Sequence, residues 1–212
     1  EQIMIDLKDL EYDELTEYLI SIGEKKFRAE QIFSWLHEKK VTSFSEMTTL
    51  SLQLREKLKE KFCLNRLKIV KRLASSIDDT VKYLYQLPDG NYVETVWMEY
   101  HHGVSVCLST QVGCRMGCKF CASTIAGFVR NLTPGEILLQ IYEAERDMGK
   151  NIDSIVLMGI GEPLDNYDNV ISFLKILSNP EGRGMSLRHV TLSTCGIVPK
   201  IREFANLNTQ VN

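Results

Sequence analysis

Three cysteines lie close together at positions 114, 118 and 121, in the run Cys-Arg-Met-Gly-Cys-Lys-Phe-Cys. Three thiolates can bind three irons of a [4Fe-4S] cube, whereas an electron-transfer cluster usually takes four cysteines and leaves no iron open. The open iron can accept the amino and carboxylate groups of a methionine-like molecule. We therefore predict a [4Fe-4S] cluster bound by Cys114, Cys118 and Cys121, with S-adenosylmethionine (SAM) as the second cofactor.

A zinc knuckle is the alternative interpretation of these thiols. Cys107, seven residues before Cys114, would complete a site of four thiolates. Zinc sites within one chain usually contain two Cys-x2-4-Cys pairs separated by a finger, and here all the thiols crowd into one stretch. The spacing of the three cysteines resembles that of the radical-SAM superfamily instead.

The composition is typical of a soluble protein. The chain has 212 residues, of which 44% are hydrophobic and 25% charged, so it can bury a core in one or two domains. No segment approaches 18 consecutive apolar residues, and the acidic N-terminus lacks the features of a signal peptide. Four of the six cysteines lie between 107 and 121, which disfavours a disulfide scaffold. We expect a cytoplasmic location.

The net charge of −3 hides a segregation of charge along the chain. Residues 25–72 contain 13 Lys or Arg and five Glu, a net charge of +8. This basic block comprises Lys25, Lys26, Arg28, Lys39, Lys40, Arg55, Lys57, Lys59, Lys61, Arg66, Lys68, Lys71 and Arg72. Such a block can neutralise RNA phosphates, although a solvated helix face has the same composition.

Hydrophobic spacing indicates two kinds of structure. Apolar residues recur every three to four positions in the first third, which predicts short amphipathic helices. From about Leu67 the pattern alternates, and Pro88-Asp89-Gly90-Asn91 provides a turn, so we predict a β-hairpin. Gly103 to Thr110 is predicted as the next strand, which leads into the cysteine loop.

Strands and helices alternate after the cysteine loop. Thr133-Pro134-Gly135-Glu136 forms a capping box that begins a helix. The predicted elements that follow are a strand from Ser154 to Met158, a helix from Asn166 to Ser178, a strand from His189 to Thr194, a helix from Pro199 to Ala205 and the start of a strand at Thr209 to Asn212. Repeated β-α units predict a parallel sheet in a barrel or partial barrel, with ligands at the carboxyl ends of its strands.

Two further motifs occupy such strand ends. Gly159-Ile160-Gly161-Glu162-Pro163 follows the second strand of this series, so its backbone can approach a ligand and Glu162 can accept a hydrogen bond from an ammonium group. A tight turn that simply ends the strand is the alternative. Ser193 ends the third strand, where its hydroxyl can reach the same ligand or can merely face solvent.

Seven segments carry a narrower resemblance. They are Phe27-Arg28-Ala29-Glu30-Gln31-Ile32, Val93-Glu94-Thr95-Val96, Val106-Cys107, Gln111-Val112-Gly113-Cys114, Arg130-Asn131-Leu132, Met158 to Pro163 and Leu192 to Gly196. Together they resemble the RNA adenine-C2 methyltransferase family called RlmN, nearly end to end. The resemblance implies an α/β fold with a helical accessory RNA-binding domain (1–66), a β-hairpin linker (67–100) and the first part of a partial radical-SAM (β/α) barrel (101–212).

The resemblance also implies a reaction and residue roles. Family members form 2-methyladenosine in 23S rRNA and tRNA through a methyl-cysteine. Cys107 matches the cysteine that resolves the RNA adduct by disulfide formation, and Glu94 matches the proton acceptor. Gly161, Glu162 and Ser193 match SAM contacts. Without the resemblance, a buried structural cysteine and an exposed strand Glu would be the ordinary interpretations of these two positions.

Residues of the family's site are missing from this sequence. The downstream Ser-Leu-His motif, a further SAM-binding Asn and the methyl-accepting cysteine have no counterpart here, so we interpret the chain as the first part of a longer enzyme. Cys63 and Cys195 do not match the methyl acceptor and are assigned structural roles. The implied partners are 23S rRNA, tRNA and an electron donor such as flavodoxin or ferredoxin, and we expect a monomer without membrane association.

Two other functions stay open on the sequence alone. The first is the sister enzyme, which methylates carbon 8 of the same ribosomal adenosine and confers antibiotic resistance. Pro163 favours the C2 enzyme. A non-catalytic zinc-dependent RNA-binding module is the other, since it would use the same cysteines and the same basic block.

Overall fold

The computed structural model describes residues 4–212. Its α-helices are α1 (Tyr12–Ser21), α2 (Phe27–Phe33), α3 (Leu52–Lys61), α4 (Pro134–Met148), α5 (Tyr167–Ser178) and α6 (Val198–Ala205). Its strands are β1 (Ile5–Asp6), β2 (Phe62–Cys63), β3 (Lys68–Ala74), β4 (Val81–Gln86), β5 (Tyr92–Tyr100), β6 (Gly103–Cys107), β7 (Gln111–Gly113), β8 (Phe128–Asn131), β9 (Ser154–Leu157) and β10 (Val190–Leu192). A π-helical turn, Ser34–Glu38, continues α2.

A mixed six-stranded sheet forms the centre, in the order β10-β9-β6-β5-β4-β3. The neighbours β6, β9 and β10 are parallel, whereas β3 to β6 form an antiparallel meander. The predicted hairpin of β4 and β5 is therefore continuous with the predicted barrel strands. Because parallel strands need crossovers, α4 connects β6 to β9 and α5 connects β9 to β10. The predicted α/β class is confirmed.

The predicted capping box begins α4. The Glu136 backbone N–H donates to the Thr133 hydroxyl at 3.2 Å, and the Thr133 N–H donates to the Glu136 carboxylate at 3.0 Å. These bonds satisfy donors that the first helical turn leaves free. The helix ends at Met148, and the next residue, Gly149, caps it with φ +65°.

The helical N-terminal part packs on α4. The predicted apolar faces are buried, including Leu15 and Leu19 of α1 and Leu54 and Leu58 of α3. His37 Nδ1 lies 2.9 Å from the Tyr142 hydroxyl, a contact between the π-helical turn and α4. Ion pairs also join the two parts, namely Lys40–Glu145 at 2.8 Å and Arg66–Glu143 at 2.8 Å.

The two faces of the sheet differ. Tyr83, Tyr85 and Trp97 are fully buried on the face that carries α4, where the Thr95 hydroxyl donates to Gln140 at 2.8 Å. The alternate residues of the same strands point the other way and are partly or fully exposed. We call this second side the open face; it includes Lys68, Lys71, Leu73, Lys82, Leu84, Gln86, Tyr92, Glu94, Val96, Met98, Tyr100, Ser105, Cys107, Ser154 and Val156, of which Ser105 is buried.

The outer edge of β10 is paired with residues at the end of the sequence. The Leu192 N–H donates to the Asn212 carbonyl at 2.9 Å, and the Asn212 N–H donates to the Val190 carbonyl at 3.0 Å. Asn212 thus extends the ladder, in the region where the sequence pattern predicts a further strand. Within residues 4–212 no helix has the length and apolar character needed to span a membrane.

Candidate active site

The predicted site residues meet at the carboxyl ends of the parallel strands. The loops after β6, β9 and β10 surround a cavity of about 200 Å³. Its lining comprises Cys114, Met116, Cys118, Phe120, Cys121, Ser123, Thr124, Met158, Gly159, Gly161, Glu162, Ser193, Thr194 and Cys195. The three cysteines, the Gly-Glu-Pro turn and Ser193 therefore share one pocket, as expected for loops that follow neighbouring parallel strands.

Local backbone contacts fold the cysteine loop. The short strands β7 and β8 pair on either side of it, and the Cys114 N–H donates to the Gly127 carbonyl at 3.1 Å. A Cβ at Gly113 would lie 1.8 Å from that same carbonyl oxygen, so only glycine fits there. The Thr124 hydroxyl donates to the Cys121 carbonyl at 2.9 Å. Cys114 is buried, while Cys118 and Cys121 are half-buried at the pocket wall.

The thiol positions bear on the choice between a cluster and zinc. Among residues 4–212, no three His, Cys, Asp or Glu side chains converge as ligands of a single metal ion. Three thiolates of a cube bind three different irons and need not converge on one point, whereas the four ligands of a zinc ion must. Cys107 does not line the pocket. The fourth thiol that a zinc knuckle would use is therefore not at this pocket.

The Glu162 carboxylate joins two of the strand ends. Its Oε1 accepts from the Thr194 hydroxyl at 2.7 Å and from the Leu164 N–H at 3.1 Å, and its Oε2 accepts from the Cys195 N–H at 2.8 Å. Glu162 is only 4% exposed. A buried carboxylate with acceptor capacity beyond these bonds suits the ammonium group of SAM. Thr194 is a member of this arrangement that sequence reasoning missed.

Two glycines bring the turn after β9 against the strand end of β6. A Cβ at Gly159 would lie 2.7 Å from the Leu108 carbonyl carbon, and a Cβ at Gly161 would lie 2.6 Å from the Gln111 Cβ. Gly161 also has φ +105°, a conformation that side chains disfavour. These glycines therefore let the turn approach the protein's own chain, and the approach of its backbone to a ligand stays a prediction.

Gln111 is a second residue that sequence reasoning missed. It is fully buried, and its Oε1 accepts from the Glu162 N–H at 2.9 Å. Its Nε2 donates to Asn131 at 2.9 Å and to Asp165 at 2.8 Å. The oxygen and the nitrogen of the side-chain amide are thus both bonded, and they connect the start of the cysteine loop with β8 and with the Gly-Glu-Pro turn. The position of Gln111 three residues before Cys114 was its only sequence signal.

Cys195 lies in the pocket and is not a core residue. It is exposed, which corrects its assignment as a structural cysteine. Burial of its sulfur and the nearby Glu162 raise the pKa of Cys195 to about 11. Cys63 lies in β2, where its thiol donates to the Met4 carbonyl at 3.5 Å, away from the pocket. All six cysteines are free thiols.

Cys107 and Glu94 lie on the open face, beside the pocket and not within it. Val96 is directly opposite Cys107, and Glu94 is two residues from Val96 on the same side of β5. Burial raises the pKa of the Cys107 thiol, so the thiol predominates over the thiolate at neutral pH. Reaction at this sulfur therefore requires a proton acceptor.

The Glu94 side chain is partly exposed and paired with a lysine. Its side chain is 41% exposed, and Oε1 forms an ion pair with Lys82 Nζ at 2.7 Å. Its sequence neighbours Val93 and Thr95 point to the opposite face of the strand, because side chains alternate along β5. Its backbone carbonyl accepts from the Ser109 hydroxyl at 2.5 Å, which ties it to the start of the cysteine loop.

Several side chains of the basic block form contacts within the protein. Ion pairs engage Lys40, Arg66 and Arg72 with Glu145, Glu143 and Asp147 of α4. Lys39 lies over the Trp35 ring, with Nζ 3.6 Å from its centroid. By contrast, no ion pair to a described carboxylate forms at Lys57, Lys59, Lys61, Lys68 or Lys71 of α3 and β3. Fewer basic side chains are therefore available to bind RNA than the sequence block contains.

Family models match both parts of the chain. Residues 5–64 match the ribosomal RNA large subunit methyltransferase N-terminal domain, and residues 108–212 match the radical SAM superfamily. A probable dual-specificity RNA methyltransferase RlmN from Lachnospira eligens is 53% identical over 208 residues, which is 98% of this chain and 59% of that protein. A relative of the same description from Clostridioides difficile is 50% identical over the whole chain and 62% of its own length. The chain belongs to the RlmN family.

A solved structure agrees with this assignment. The radical SAM methyltransferase from Sphaerobacter thermophilus superposes with a TM-score of 0.89 at 37% identity, covering 98% of this chain and 62% of that one. The chain spans about three fifths of the length of the curated RlmN relatives it matches. The predicted radical-SAM fold, with its helical N-terminal domain, is confirmed.

RlmN-family proteins use a [4Fe-4S] cluster and SAM, and the pocket residues fit both groups. Cys114, Cys118 and Cys121 provide three thiols around one cavity, and the buried Glu162 carboxylate lies on the same wall. The individual assignments of Gly161, Glu162 and Ser193 as SAM contacts remain predictions.

Proposed function

We propose that this chain is the N-terminal part of a radical-SAM methyltransferase that forms 2-methyladenosine in 23S rRNA and tRNA. One observation carries the proposal. The cysteine loop, Glu162 and Ser193 line one cavity, while Cys107 and Glu94 lie beside it on the open face. A cofactor pocket and a reaction face are thus adjacent, in a chain about half identical to RNA methyltransferases of this description.

The target atom explains the need for these cofactors. Carbon 2 of adenine has no acidic proton and no lone pair, so ordinary transfer of a methyl group from SAM has no nucleophile to use. When bound, the cluster and SAM would supply the one-electron chemistry that activates a methyl group carried on a cysteine sulfur. Cys114, Cys118 and Cys121 hold the cluster, and Glu162 and Ser193 orient SAM.

Glu94 and Cys107 act on the RNA adduct. The Glu94 carboxylate is half exposed on the open face, so it can reach the C2 proton of a base that enters from solvent. The Cys107 thiol supplies the sulfur that closes a disulfide with the methyl-carrying cysteine and releases the RNA. Its raised pKa requires that a base take its proton first.

The RNA reaches the site across the N-terminal domain and the adjoining strand β3. The unpaired lysines of α3 and β3 provide the sequence-independent attraction to phosphates that RNA binding needs. The same proposal includes a cytoplasmic, monomeric enzyme with an electron donor such as flavodoxin or ferredoxin. The division at residues 66 and 100 into accessory domain, hairpin and barrel belongs to it as well.

Nucleoside mass spectrometry tests the reaction directly. RNA from a deletion strain should lack 2-methyladenosine in 23S rRNA and in tRNA, and the full-length gene should restore it. The same gene with Cys118→Ala is the matched control and should restore nothing, because the cluster is lost. Loss of 8-methyladenosine instead would assign the C8 reaction, and unchanged nucleosides would refute methyl transfer altogether.

A further inference from the structure

A straight row of side chains crosses the open face toward the cofactor pocket. Lys82 is directly opposite Val96, Val96 is opposite Cys107, and Cys107 is opposite Val156. Neighbouring strands lie about 4.8 Å apart, so the Cα atoms of Lys82 and Cys107 are roughly 10 Å apart. Lys82 is therefore near the proposed reaction site, although it is 25 residues away in sequence.

Lys82 and Glu94 form an isolated ion pair on this face. Glu94 is opposite Leu84, so it reaches Lys82 along the diagonal of the ladder. The Nζ to Oε1 distance is 2.7 Å. The other side chains that β4, β5, β6 and β9 present on the open face are uncharged, among them Val96, Met98 and Cys107. Within these strands, Lys82 is thus the one cation available to orient Glu94.

We infer that Lys82 is a positioning residue that holds the Glu94 carboxylate in place for proton removal from the RNA adduct. This inference rests on the role proposed above for Glu94. In that step the C2–H bond breaks, its electron pair stays on the adduct and the proton joins a Glu94 oxygen. A half-exposed Glu side chain has several rotamers, and an ammonium on the neighbouring strand selects one of them.

The Lys82 ammonium has further hydrogens that it can donate to a second partner, so a role in RNA binding must be distinguished from positioning. An exposed lysine also binds RNA phosphate, and such a contact would change RNA affinity and its salt dependence. A positioning residue changes the rate of the step and leaves RNA affinity alone. Lys71 provides the matched control, because it is exposed on the same face in β3 and has no ion-pair partner among the described residues.

The experiment uses the full-length enzyme with reconstituted cluster and compares Lys82→Met, Lys82→Arg, Lys71→Met, Glu94→Gln and the double variant Lys82→Met/Glu94→Gln. For Lys82→Met we expect kcat to fall about fivefold. The KM for RNA and the rate of SAM cleavage should stay unchanged, and a covalent protein-RNA adduct should accumulate. Lys82→Arg should recover most of the rate, and Lys71→Met should match the wild type. In the Glu94→Gln background, Lys82→Met should add no further loss.

Several outcomes would overturn the inference. A raised KM with unchanged kcat would make Lys82 a phosphate contact, and so would losses that multiply in the double variant. Equal losses in Lys71→Met and Lys82→Met would show a general charge effect. The role of Glu94 is judged separately, because Glu94→Gln with wild-type turnover would refute the proposed base itself. Adduct accumulation in Glu94→Gln without any effect in Lys82→Met would refute the positioning role alone.

Discussion

The side-chain amide of Gln111 accepts a hydrogen bond from the Glu162 backbone N–H across 2.9 Å. This bond joins the residue three positions before Cys114 to the carboxylate residue of the Gly-Glu-Pro turn. The same amide donates to Asp165 at 2.8 Å, and Arg115 in the cysteine loop donates to that carboxylate at 2.8 Å. The cysteine loop and the Gly-Glu-Pro turn are therefore one hydrogen-bonded unit.

Substitution of Gly161 by Ala tests how closely this unit is packed. Gly161 and Gly196 both have φ +105°, so Ala at either position carries a backbone cost of about 1–3 kcal/mol. A Cβ at Gly161 also lies 2.6 Å from Gln111, whereas a Cβ at Gly196 meets nothing within 4 Å. Gly161→Ala should thus cost about 1–3 kcal/mol more than Gly196→Ala in urea unfolding. Equal costs would mean that the contact with Gln111 is not tight.

Anaerobic reconstitution with iron and sulfide tests the cluster ligands. The protein should take up about four irons per chain, and Cys114→Ala, Cys118→Ala and Cys121→Ala should each abolish the cluster. Cys107→Ala is the control, since this thiol does not line the pocket. Iron content and the visible spectrum measure the result. If Cys107→Ala lost the cluster as fully as the other three variants, its role as a resolving thiol would be wrong.

The sequence predicted the parts of this site that local patterns encode. The cysteine spacing indicated the cluster, and the capping box at Thr133 and Glu136 predicted the start of α4 that the structure confirms. The location of the site at the strand ends followed from the alternation of β and α elements, because parallel strands place their carboxyl ends at one edge of the sheet. Ser193 and Glu162 were therefore predicted to meet, 31 positions apart.

The contacts that sequence reasoning missed join residues far apart in the chain. Gln111 bonds to Glu162, and Lys82 pairs with Glu94, but neither partner lies at a helical or turn spacing. In the sequence alone, Gln111 before the cysteines and Lys82 in an alternating strand would both be interpreted as ordinary surface residues. Their roles depend on strand register, which sequence alternation restricts only to one face or the other. The same limit applies to Cys195, whose exposure in the pocket follows from the path of one loop.

The basic block gives a prediction about RNA binding that the structure refines. Lys57, Lys59, Lys61 and Lys68 have no carboxylate partner among the described residues, whereas Lys40 is tied to Glu145. Reversal of these four charges to Glu should weaken RNA binding and flatten the dependence of log K on log salt, by about 0.7–0.9 per lost phosphate contact. Filter binding across salt concentrations measures the slope. An unchanged slope would place the RNA elsewhere.

Buried His37 gives a prediction about pH and stability. Burial lowers the pKa of His37 to about 3, and its Nε2 has no hydrogen-bond partner among the described residues. The unfolded chain takes up a proton at this residue below pH 6.5 and the native protein does not, so acid should destabilise the fold. Each pH unit between 6.5 and about 3 should cost about 1.4 kcal/mol at this residue.

His37→Gln removes the titrating group and keeps a side chain that can bond to Tyr142. Its free energy of unfolding should therefore fall less steeply between pH 6.5 and 4.5 than that of the wild type, as urea titrations at several pH values would show. His189→Gln is the matched control because His189 is exposed, and its slope should equal that of the wild type. Parallel slopes for all three proteins would contradict a neutral buried His37.

The position of Cys107 beside Glu94 predicts a trapped intermediate. In the full-length enzyme, Cys107→Ala should still form the methyl-cysteine and attack C2, because neither step uses this sulfur, which lies outside the cofactor pocket. Release of the RNA should fail, because the variant cannot close the disulfide that breaks the adduct. Denaturing gel electrophoresis of labelled RNA should show protein and RNA migrating together, and nuclease followed by mass spectrometry should locate the adduct on the methyl-accepting cysteine.

Cys63→Ala is the control, since Cys63 lies in β2 away from the site, and it should turn over normally. Free RNA carrying 2-methyladenosine after repeated turnover of Cys107→Ala would remove Cys107 from the mechanism.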